Sequence, residues 1–378
     1  MSERKKILVT TTHFFPHVGG VEKYTLDFFS ALKQRYPEIE ITILTLQTSL
    51  APQRETIQGL SVVRVPSFWP DLNPLFFPGT VKKILEEIEF SSFDLVITQC
   101  RYYFFTTYIS WLAAQKRVPI AHIEHNAGYM VHKNFLVTRI AWLYDHFFGS
   151  AVLKRALFLV AVSQSVKTFL QEKFRVFSKI EVISGGVSLK YWGMIDKIPD
   201  TRMFVYCGRL LREKGIFLLL DAFEVLSKKY PEIKLFIIGS GPEEKTCQSR
   251  VIKKGLGGRV TFLGKVSSET IQTLYKERPV FVNPSFYTEG LQISLLEAAA
   301  SGLPIITTQV GGVKELLEAN KSALFVIPQE SESLAAAMEE YILLPEKAKQ
   351  HGRAAFQNVS TSFSQEEMAE KFYQYVLS

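Results

Sequence analysis

The sequence predicts an α/β protein of two doubly wound domains, each a parallel sheet with helices on both faces. Three observations lead to this fold class. Short runs of Ile, Val and Leu alternate with segments of helical periodicity, and the alternation restarts after Lys197-Ile198-Pro199-Asp200. The length of 378 residues suits two domains.

The first half contains predicted strands with helices such as 20–36 and 81–90 between them. These strands are Ile7–Thr11, Ile41–Leu46, Ser61–Val65, Leu95–Thr98, Ile120–Glu124, Leu157–Ala161 and Glu181–Ile183. The strands of the second half are Phe204–Cys207, Lys234–Ile238, Val260–Leu263, Val280–Val282, Pro304–Thr307 and Ala323–Val326. Its helices are Ile216–Tyr230, Glu243–Lys254, Ser268–Glu277, Gly290–Ala300 and Leu334–Leu344. We therefore assign residues 1–190 to the first domain and 191–363 to the second.

Three further segments stand apart from this alternation. Residues 364–378 form a predicted helix with a capping box at Ser364 and Glu367, and the sequence leaves open which domain it packs on. Residues 66–78 hold four prolines and four aromatic residues, which predicts a loop. Residues 129–156 mix aromatic residues with Lys and Arg. This composition is typical of an interfacial amphipathic helix, with a core-facing helix as the alternative.

The composition excludes several classes of protein. Hydrophobic residues make up 47% and charged residues 21% of the chain, which is ordinary globular usage. Cys100, Cys207 and Cys247 are far apart, so we expect a reducing cytoplasmic compartment rather than a disulfide scaffold. The basic start lacks the apolar run of a signal peptide, and no apolar run reaches the roughly 18 residues of a spanning helix.

The formal charge of +7 lies wholly in the first half of the chain. Residues 1–195 carry 22 Lys and Arg against 15 Asp and Glu, whereas the remaining residues carry 22 of each kind. One interpretation is an anionic membrane surface or substrate approached by the first half, and the alternative is a solvated basic face. We expect no nucleic-acid partner, because no known reader fold accompanies the charge.

Two loops are suited to binding phosphate groups. Gly19 and Gly20 open a helix after the first strand, where backbone amides attract anions, although a tight turn explains them equally well. Arg209 and Lys214 follow the first strand of the second half, at the edge where open α/β sheets bind ligands. Such cations stabilise a leaving diphosphate, and surface ion pairs are the alternative.

Glu289 and Glu297 are two carboxylates eight residues apart. A helix that begins near Gly290 would hold Glu289 at its cap and Glu297 about two turns on, on nearly the same face. One end of such a helix can contact a sugar and the other end a ribose.

Other kinds of site fit the sequence less well. Residues 239–242 lack the third glycine of a nicotinamide or flavin motif. His122 and His125 are three apart on a strand and point to opposite faces, which makes a poor metal pair. His13 and His17 flank a loop and are predicted to be solvated, with a contact to an acceptor as the alternative.

Short motifs occur in both halves of the chain. In the second half they are Gly-Arg-Leu-x3-Lys-Gly at 208–215, Gly-Ser-Gly-Pro at 239–242, Phe-Leu-Gly-Lys-Val at 262–266, Pro-Ser-x3-Glu-Gly-x6-Glu-Ala at 284–298 and Gly-Gly-x2-Glu at 311–315. In the first half they are Gly-Gly-Val-Glu at 19–22, Glu-His-Asn at 124–126, Ala-Val-Ser at 161–163 and Ile-Ser-Gly-Gly-Val-Ser at 183–188. Across nearly the whole chain, these motifs resemble those of the family 4 retaining glycosyltransferases.

The resemblance implies the B-type glycosyltransferase fold, two Rossmann-like domains facing a central cleft. The second domain would hold the nucleotide sugar and the first the acceptor. The candidate catalytic residues that match the family motifs are Glu289, His125, Arg209 and Lys214. The candidate donor-binding residues are Gly19, Gly20, Arg209, Lys214, Val266, Glu289, Gly290, Leu291, Gln292, Ile293 and Glu297.

The matching positions also imply a role for each of these residues. Arg209 and Lys214 match the diphosphate clamp, with Gly20 closing over the diphosphate from the first domain. Glu297 matches the ribose ligand and the backbone of Val266 the contact to the nucleobase. Glu289 and the amides of 290–293 match the donor-sugar contacts, and His125 matches the histidine near the transferred sugar.

Two positions depart from the family pattern. Residues 184–188 read Ser-Gly-Gly-Val-Ser where Pro-Asn-Gly-Val-Asp is usual, so the roles of that Asn and Asp are absent. Gln292 stands where a glycine is frequent, which bears on the identity of the donor sugar.

The resemblance implies retaining transfer of a hexose from a UDP- or GDP-sugar to a hydroxyl of a glycan or lipid-linked acceptor, in polysaccharide or glycolipid synthesis. The nucleotide sugar is a substrate, and no cofactor or metal ion is expected, because the chain has no Asp-x-Asp motif. We expect a cytoplasmic protein, peripheral at the inner face of the cell membrane. The alternatives are a nucleotide-sugar epimerase of the same fold and a non-catalytic nucleotide-sugar binding protein.

Overall fold

The structure, a computed structural model, describes residues 4–17, 19–47, 50–68, 73–130, 135–287 and 290–378. The chain divides into two compact units, Met1–Gly186 with Gln365–Ser378 (unit 1) and Val187–Ser364 (unit 2). Both units are α/β with parallel sheets, so the predicted fold class of two doubly wound domains is confirmed.

The strands are β1 Lys6–Thr11, β2 Glu40–Gln47, β3 Arg54–Ile57, β4 Leu60–Phe68, β5 Leu75–Phe76, β6 Leu95–Gln99, β7 Ile120–Glu124, β8 Phe158–Ala161, β9 Ile180–Val182, β10 Asp200–Cys207, β11 Lys234–Ile238, β12 Val260–Gly264, β13 Pro279–Asn283, β14 Ile305–Thr308 and β15 Leu324–Val326.

The α-helices are α1 Gly20–Arg35, α2 Pro78–Glu87, α3 Phe104–Lys116, α4 Phe135–Tyr144, α5 Ser150–Arg155, α6 Gln164–Phe174, α7 Leu189–Trp192, α8 Ile216–Lys229, α9 Glu244–Lys253, α10 Ser268–Lys276, α11 Ile293–Ala300, α12 Val313–Leu316, α13 Ser331–Leu343, α14 Pro345–Ser362 and α15 Gln365–Phe372. Phe90–Ser92 and Arg212–Lys214 are 3₁₀ turns, and Asp145–Gly149 and Tyr373–Leu377 are π-helical.

Unit 1 is built on a sheet with the strand order β3-β4-β2-β1-β6-β7-β8-β9, and β5 pairs with β4. The strands from β4 to β9 in this order run parallel, whereas β3 and β5 run antiparallel to β4. Every residue of β6 and β7 is buried. Because helices cover both faces, neither strand has a solvated face, and even the polar Gln99, His122 and Glu124 are buried.

Unit 2 has the strand order β12-β11-β10-β13-β14-β15, with all pairs parallel. Numbered within the unit, this is the 3-2-1-4-5-6 order of a Rossmann fold. In both units the order reverses beside the first strand, between β1 and β6 and between β10 and β13. Loops at the carboxyl ends of these strands therefore form the expected ligand sites.

The C-terminal helix α15 belongs to unit 1, where it packs on α1. Its buried Phe372 lies with its ring centroid 5.3 Å from Phe28 and 6.1 Å from Phe29. Glu370 accepts hydrogen bonds from Arg35 and Tyr36. Residues far apart in the sequence thus complete one core.

The predicted loop over 66–78 is wrong at both ends. β4 continues through Pro66 to Phe68, and β5 pairs with its last two residues. β4 tolerates the proline because β3 pairs only as far as Val63, so the missing N–H of Pro66 interrupts no bond to β3. Residues 69–72 of the predicted loop lie outside the described ranges.

The segment 129–156 contains α4, a π-helical turn and α5, while its residues 131–134 lie outside the described ranges. No residue of α4 is buried, so the core-facing alternative is wrong for this helix. In the described parts of the chain, no helix combines the length and apolar character needed to cross a bilayer.

Replacing Phe372 with alanine should lower the free energy of unfolding by roughly 3–5 kcal/mol, because it removes a buried aromatic ring that joins α15 to α1. Urea denaturation measures the change. Phe177→Ala is the matched control, because Phe177 is 89% exposed and its loss should cost less than about 0.5 kcal/mol. Equal losses of unfolding free energy in both variants would contradict the packing of Phe372 between α15 and α1.

Candidate functional site

His125 follows the end of β7, at the carboxyl edge of the unit 1 sheet. Its Nε2 lies 3.0 Å from Oε1 of Gln99, the last residue of β6. The edge of its ring meets Tyr24, with centroids 4.6 Å apart. Burial lowers the pKa of His125 to about 4, so the imidazole is neutral at neutral pH.

A chain of hydrogen bonds determines which His125 nitrogen carries the proton. The Thr25 hydroxyl donates to the carbonyl of Val21 at 2.7 Å and accepts from Nε2 of Gln99 at 3.0 Å. Gln99 presents its Oε1 to His125, and because an amide oxygen only accepts, the Nε2–H of His125 is the donor. Nδ1 keeps its lone pair and is the nitrogen able to accept a hydrogen bond from a ligand hydroxyl.

The buried carboxylate of Glu124 organises the turn that carries His125. Its Oε1 accepts the backbone N–H groups of His125 and Asn126, each at 3.0 Å. Its Oε2 lies 3.0 Å from Nη1 of Arg101 and 3.2 Å from Nε2 of His122. Burial opposes ionisation, but the Arg101 guanidinium and the bond from His122 hold the pKa of Glu124 well below its usual range.

Arg101 follows β6 and is completely buried. Its Nη2 lies 2.9 Å from Oδ2 of Asp145, and its Cζ lies 5.0 and 4.7 Å from the ring centres of Phe169 and Phe174. One cation thus serves two carboxylates, those of Glu124 and Asp145. Burial raises the pKa of Asp145 to about 6, although Arg101 acts in the opposite direction.

The two histidines before α1 differ in exposure. His17 is exposed, and its Nδ1 lies 3.2 Å from Oε1 of Glu22. The prediction that both are solvated is wrong for His13, which is buried between the rings of His17 and Tyr103, at centroid distances of 4.9 and 6.2 Å. Burial lowers the pKa of His13, despite the carboxylate of Glu22.

Gly19 is the N-cap of α1 and Gly20 its first residue. A Cβ on Gly19 would lie 2.3 Å from Oε2 of Glu22, whereas a Cβ on Gly20 would meet no atom within 4 Å. A side chain at 19 would displace the folded-back carboxylate of Glu22, whereas the helix end is open at 20. The first amides of α1 have no intrahelical acceptor and point off this end.

The loop 208–215 carries Arg209 and Lys214 at the end of β10. Backbone N–H groups of Gly208 and Leu210 donate to the carbonyls of Ile238 and Ser240, both at 3.0 Å. A Cβ on Gly239 would lie 2.0 Å from the carbonyl oxygen of Gly208, so only glycine allows this contact. The loop is thereby attached to the loop that follows β11.

The same loop is attached on its other side to the loop that follows β13. Gly215 has a φ of +74°, and a Cβ there would lie 2.1 Å from the carbonyl oxygen of Pro284. The Glu213 carbonyl accepts the N–H of Phe286 at 3.0 Å. Two loops at the order reversal of the sheet thus meet beside Lys214, which is half-buried, and Arg209, which is exposed.

The predicted helix start at Gly290 is wrong. α11 begins at Ile293 and its N-cap is Gln292, with Leu291 in the preceding loop. The Gly290 carbonyl accepts the N–H of Gly312 at 3.3 Å, which holds this glycine to the loop after β14 rather than in the helix.

As a consequence, Glu297 is the fifth residue of α11, not two turns beyond a cap, and it is buried. Glu289 lies outside the described residues. Val266 is half-buried in the loop after β12.

Sequence reasoning missed three residues of the unit 1 edge, Gln99, Arg101 and Asp145. The sequence does single out Asp145, because Glu124 and Asp145 are the only acidic residues between Asp94 and Glu172.

Within the described ranges, no cluster of three or more His, Cys, Asp or Glu side chains is arranged to hold a metal ion. The edge of unit 1 offers hydrogen-bonding groups, and the edge of unit 2 offers two cations and helix amides.

Two family models match adjacent parts of the chain. The model for Glycosyltransferase Family 4 matches residues 18–191, and the model for Glycosyl transferases group 1 matches residues 195–358. An uncharacterized glycosyltransferase of Methanocaldococcus jannaschii is 25% identical over 339 residues, which cover 82% of this chain and 83% of that protein.

Two solved structures have the same fold. Sucrose-phosphate synthase of Thermosynechococcus elongatus aligns with a TM-score of 0.80 and 22% identity over 98% of each chain. HepE of Anabaena, in complex with UDP-glucose, aligns with a TM-score of 0.75 and 18% identity over 98% of each chain.

The raised pKa of Asp145 predicts a pH-dependent contribution to stability. The folded state favours the protonated carboxyl, so stability from this group is present below its ordinary pKa of 3.8 and is lost as pH rises through about 6. The shift of about 2 pH units corresponds to roughly 3 kcal/mol. Asp145→Asn, which cannot ionise, should lack this loss.

The measurement is urea denaturation of both proteins between pH 4 and pH 7. Compared with Asp145→Asn, the unsubstituted protein should become less stable as pH rises. Asp94→Asn, the same substitution at an exposed aspartate of unit 1, is the control. Parallel curves for the unsubstituted protein and Asp145→Asn would contradict the raised pKa.

Proposed function

Because the chain belongs to the glycosyltransferases of family 4 and group 1, we propose that it transfers a hexose from a nucleoside-diphosphate sugar to a hydroxyl of a glycan or lipid-linked acceptor, with retention of configuration. The observation that carries the proposal is the loop 208–215, which holds Arg209 and Lys214 at the order reversal of the unit 2 sheet. Its attachment to both neighbouring loops holds the backbone that carries these cations.

Each donor group has a proposed partner in unit 2. Arg209 and Lys214 bind the diphosphate, because cations are the groups that stabilise its charge. Glu297 accepts the ribose hydroxyls and the backbone at Val266 meets the base. Glu289 and the N–H groups of 290–293 bind the sugar.

The residues of unit 1 also have proposed roles. The open amides at Gly20, together with Gly19, bind a phosphate or hydroxyl group. His125 accepts a hydrogen bond from a sugar hydroxyl at Nδ1, since its Nε2–H is committed to Gln99.

The proposed reaction balances without a protein base. The acceptor oxygen forms a bond to the anomeric carbon on the face from which the diphosphate leaves. The bond from that carbon to the phosphate oxygen breaks, and its electron pair stays on the diphosphate. The acceptor proton passes to the leaving phosphate oxygen. Arg209 and Lys214 stabilise the developing charge in place of a metal ion.

We expect a UDP- or GDP-sugar to raise the unfolding temperature, because a ligand that binds only the folded state stabilises it. The UDP-glucose complex of HepE supports UDP-glucose as the first probe. A thermal-shift series with UDP-glucose, GDP-mannose and ADP-glucose measures the effect, with and without EDTA. A shift that disappears in EDTA would contradict metal independence.

Lys214→Ala should lower kcat/KM for transfer by roughly a hundredfold or more, because the leaving diphosphate loses a fixed cation. Glu289→Ala should also abolish most transfer. Lys276→Ala is the matched control, since Lys276 is an exposed lysine at the end of α10 in the same unit.

Transfer is measured as the product formed from a labelled donor. Unchanged unfolding temperatures show that each variant is folded. Full turnover in Lys214→Ala would overturn the assignment. Conversion of the donor to an epimer without any acceptor would favour the epimerase alternative instead.

A further inference from the structure

Residues 95–171 of unit 1 carry most of the excess charge of the protein. They contain eight Lys and Arg but only two acidic residues, an excess of +6 out of the total of +7. The two acids are Glu124 and Asp145, and both are buried against Arg101. In the described part of this segment, the exposed charges are therefore all positive, among them Lys116, Arg117, Arg139, Lys154 and Arg155.

The same segment exposes large apolar side chains. α4 has ten residues, and none of them is buried. The exposed apolar residues of α4 and the following π-helical turn include Phe135, Leu136, Ile140, Leu143, Phe147 and Phe148. Leaving so many apolar side chains in water is unfavourable, and a contiguous patch of this kind marks an interaction site.

This exposed surface continues onto α3. The ring of Tyr144 lies 4.8 Å from Phe104 and is stacked on Phe148 at 4.9 Å. The Tyr144 hydroxyl is 2.7 Å from Oγ1 of Thr107. We call the exposed residues of Phe104–Lys116 and Phe135–Arg155 the apolar face.

The apolar face is attached firmly to the sheet beneath it. Asp145, in the turn that follows α4, is held by Arg101, which also binds Glu124 at the end of β7. The residues that anchor this turn are buried, whereas the outer residues of α4 are exposed. These side chains are therefore exposed on a helix whose C-terminal turn is held to the sheet.

We propose that the apolar face docks on an anionic lipid bilayer. A bilayer surface offers apolar depth for Leu136, Ile140 and Phe147 and negative headgroups for the surrounding cations. The side chains of Trp111, Trp142 and Tyr144 are of the kind that lies at the headgroup level. The inference is independent of the proposed transfer reaction, because it uses no donor or acceptor contact.

The charge favours a bilayer over a second copy of the chain. A symmetric dimer through the apolar face would place the cations of one copy near those of the other. Such like-charge contacts oppose association, whereas an anionic surface attracts each cation.

The test is flotation of the full chain with vesicles, without any nucleotide sugar. The unsubstituted protein should bind vesicles of equal parts phosphatidylcholine and phosphatidylglycerol far better than vesicles of phosphatidylcholine alone. Leu136→Gln, Ile140→Gln and Phe147→Gln combined should weaken binding to the anionic vesicles by roughly tenfold or more, because the inserted apolar area is lost. These residues are 67%, 67% and 65% exposed, so the fold should not change.

The matched control combines Val225→Gln, Ile252→Gln and Leu343→Gln, which are 62%, 76% and 62% exposed on helices of unit 2. This variant should bind as the unsubstituted protein does. Equal binding by the two triple variants would overturn the proposal, as would no binding of the unsubstituted protein to anionic vesicles. Self-association that is lost only in the first variant, without vesicle binding, would assign the face to a second copy instead.

Because no nucleotide sugar is present, the vesicle result is separate from the transfer assay. Vesicle binding by Lys214→Ala should equal that of the unsubstituted protein. Failure of transfer and failure of docking are therefore distinguishable outcomes.

Discussion

The buried guanidinium of Arg101 joins three elements near the carboxyl edge of the unit 1 sheet. It binds Glu124 at the end of β7 and Asp145 in the turn after α4, and it extends from the end of β6 itself. Removing a cation from such a site leaves buried carboxylates without compensation, which is far more costly than losing a surface ion pair. The turn that carries His125 and the attachment of α4 both depend on this one side chain.

In unit 2 the loop 208–215 is held in place by backbone contacts rather than by buried charges. Gly215 and Gly239 bring the loop 208–215 against the neighbouring loops at distances that no other residue permits. The atoms that hold this loop are main-chain atoms, and of its two cations Arg209 is exposed and Lys214 half-buried. The two units therefore share a strand order but position their functional groups by different physical means.

Much of the fold was predictable because a parallel sheet leaves a local signal. β6 and β7 are short, mostly apolar segments, each followed by a helix. α14 left little signal, since its buried residues are mostly small or polar, such as Ala348, His351 and Gly352. The start of α11 was misplaced because the Gly290 carbonyl bonds to Gly312, a contact between loops that no local pattern contains.

By itself, the sequence determined the two doubly wound domains, the positions of the glycine and cation motifs, and the uneven charge. Each of these follows from periodicity or spacing over a few residues. Only the tertiary structure decided that Arg101 would meet partners 23 and 44 residues away, and that no residue of α4 would be buried. Those outcomes depend on which strands become neighbours, and strand order is a property of the whole sheet rather than of any segment in it.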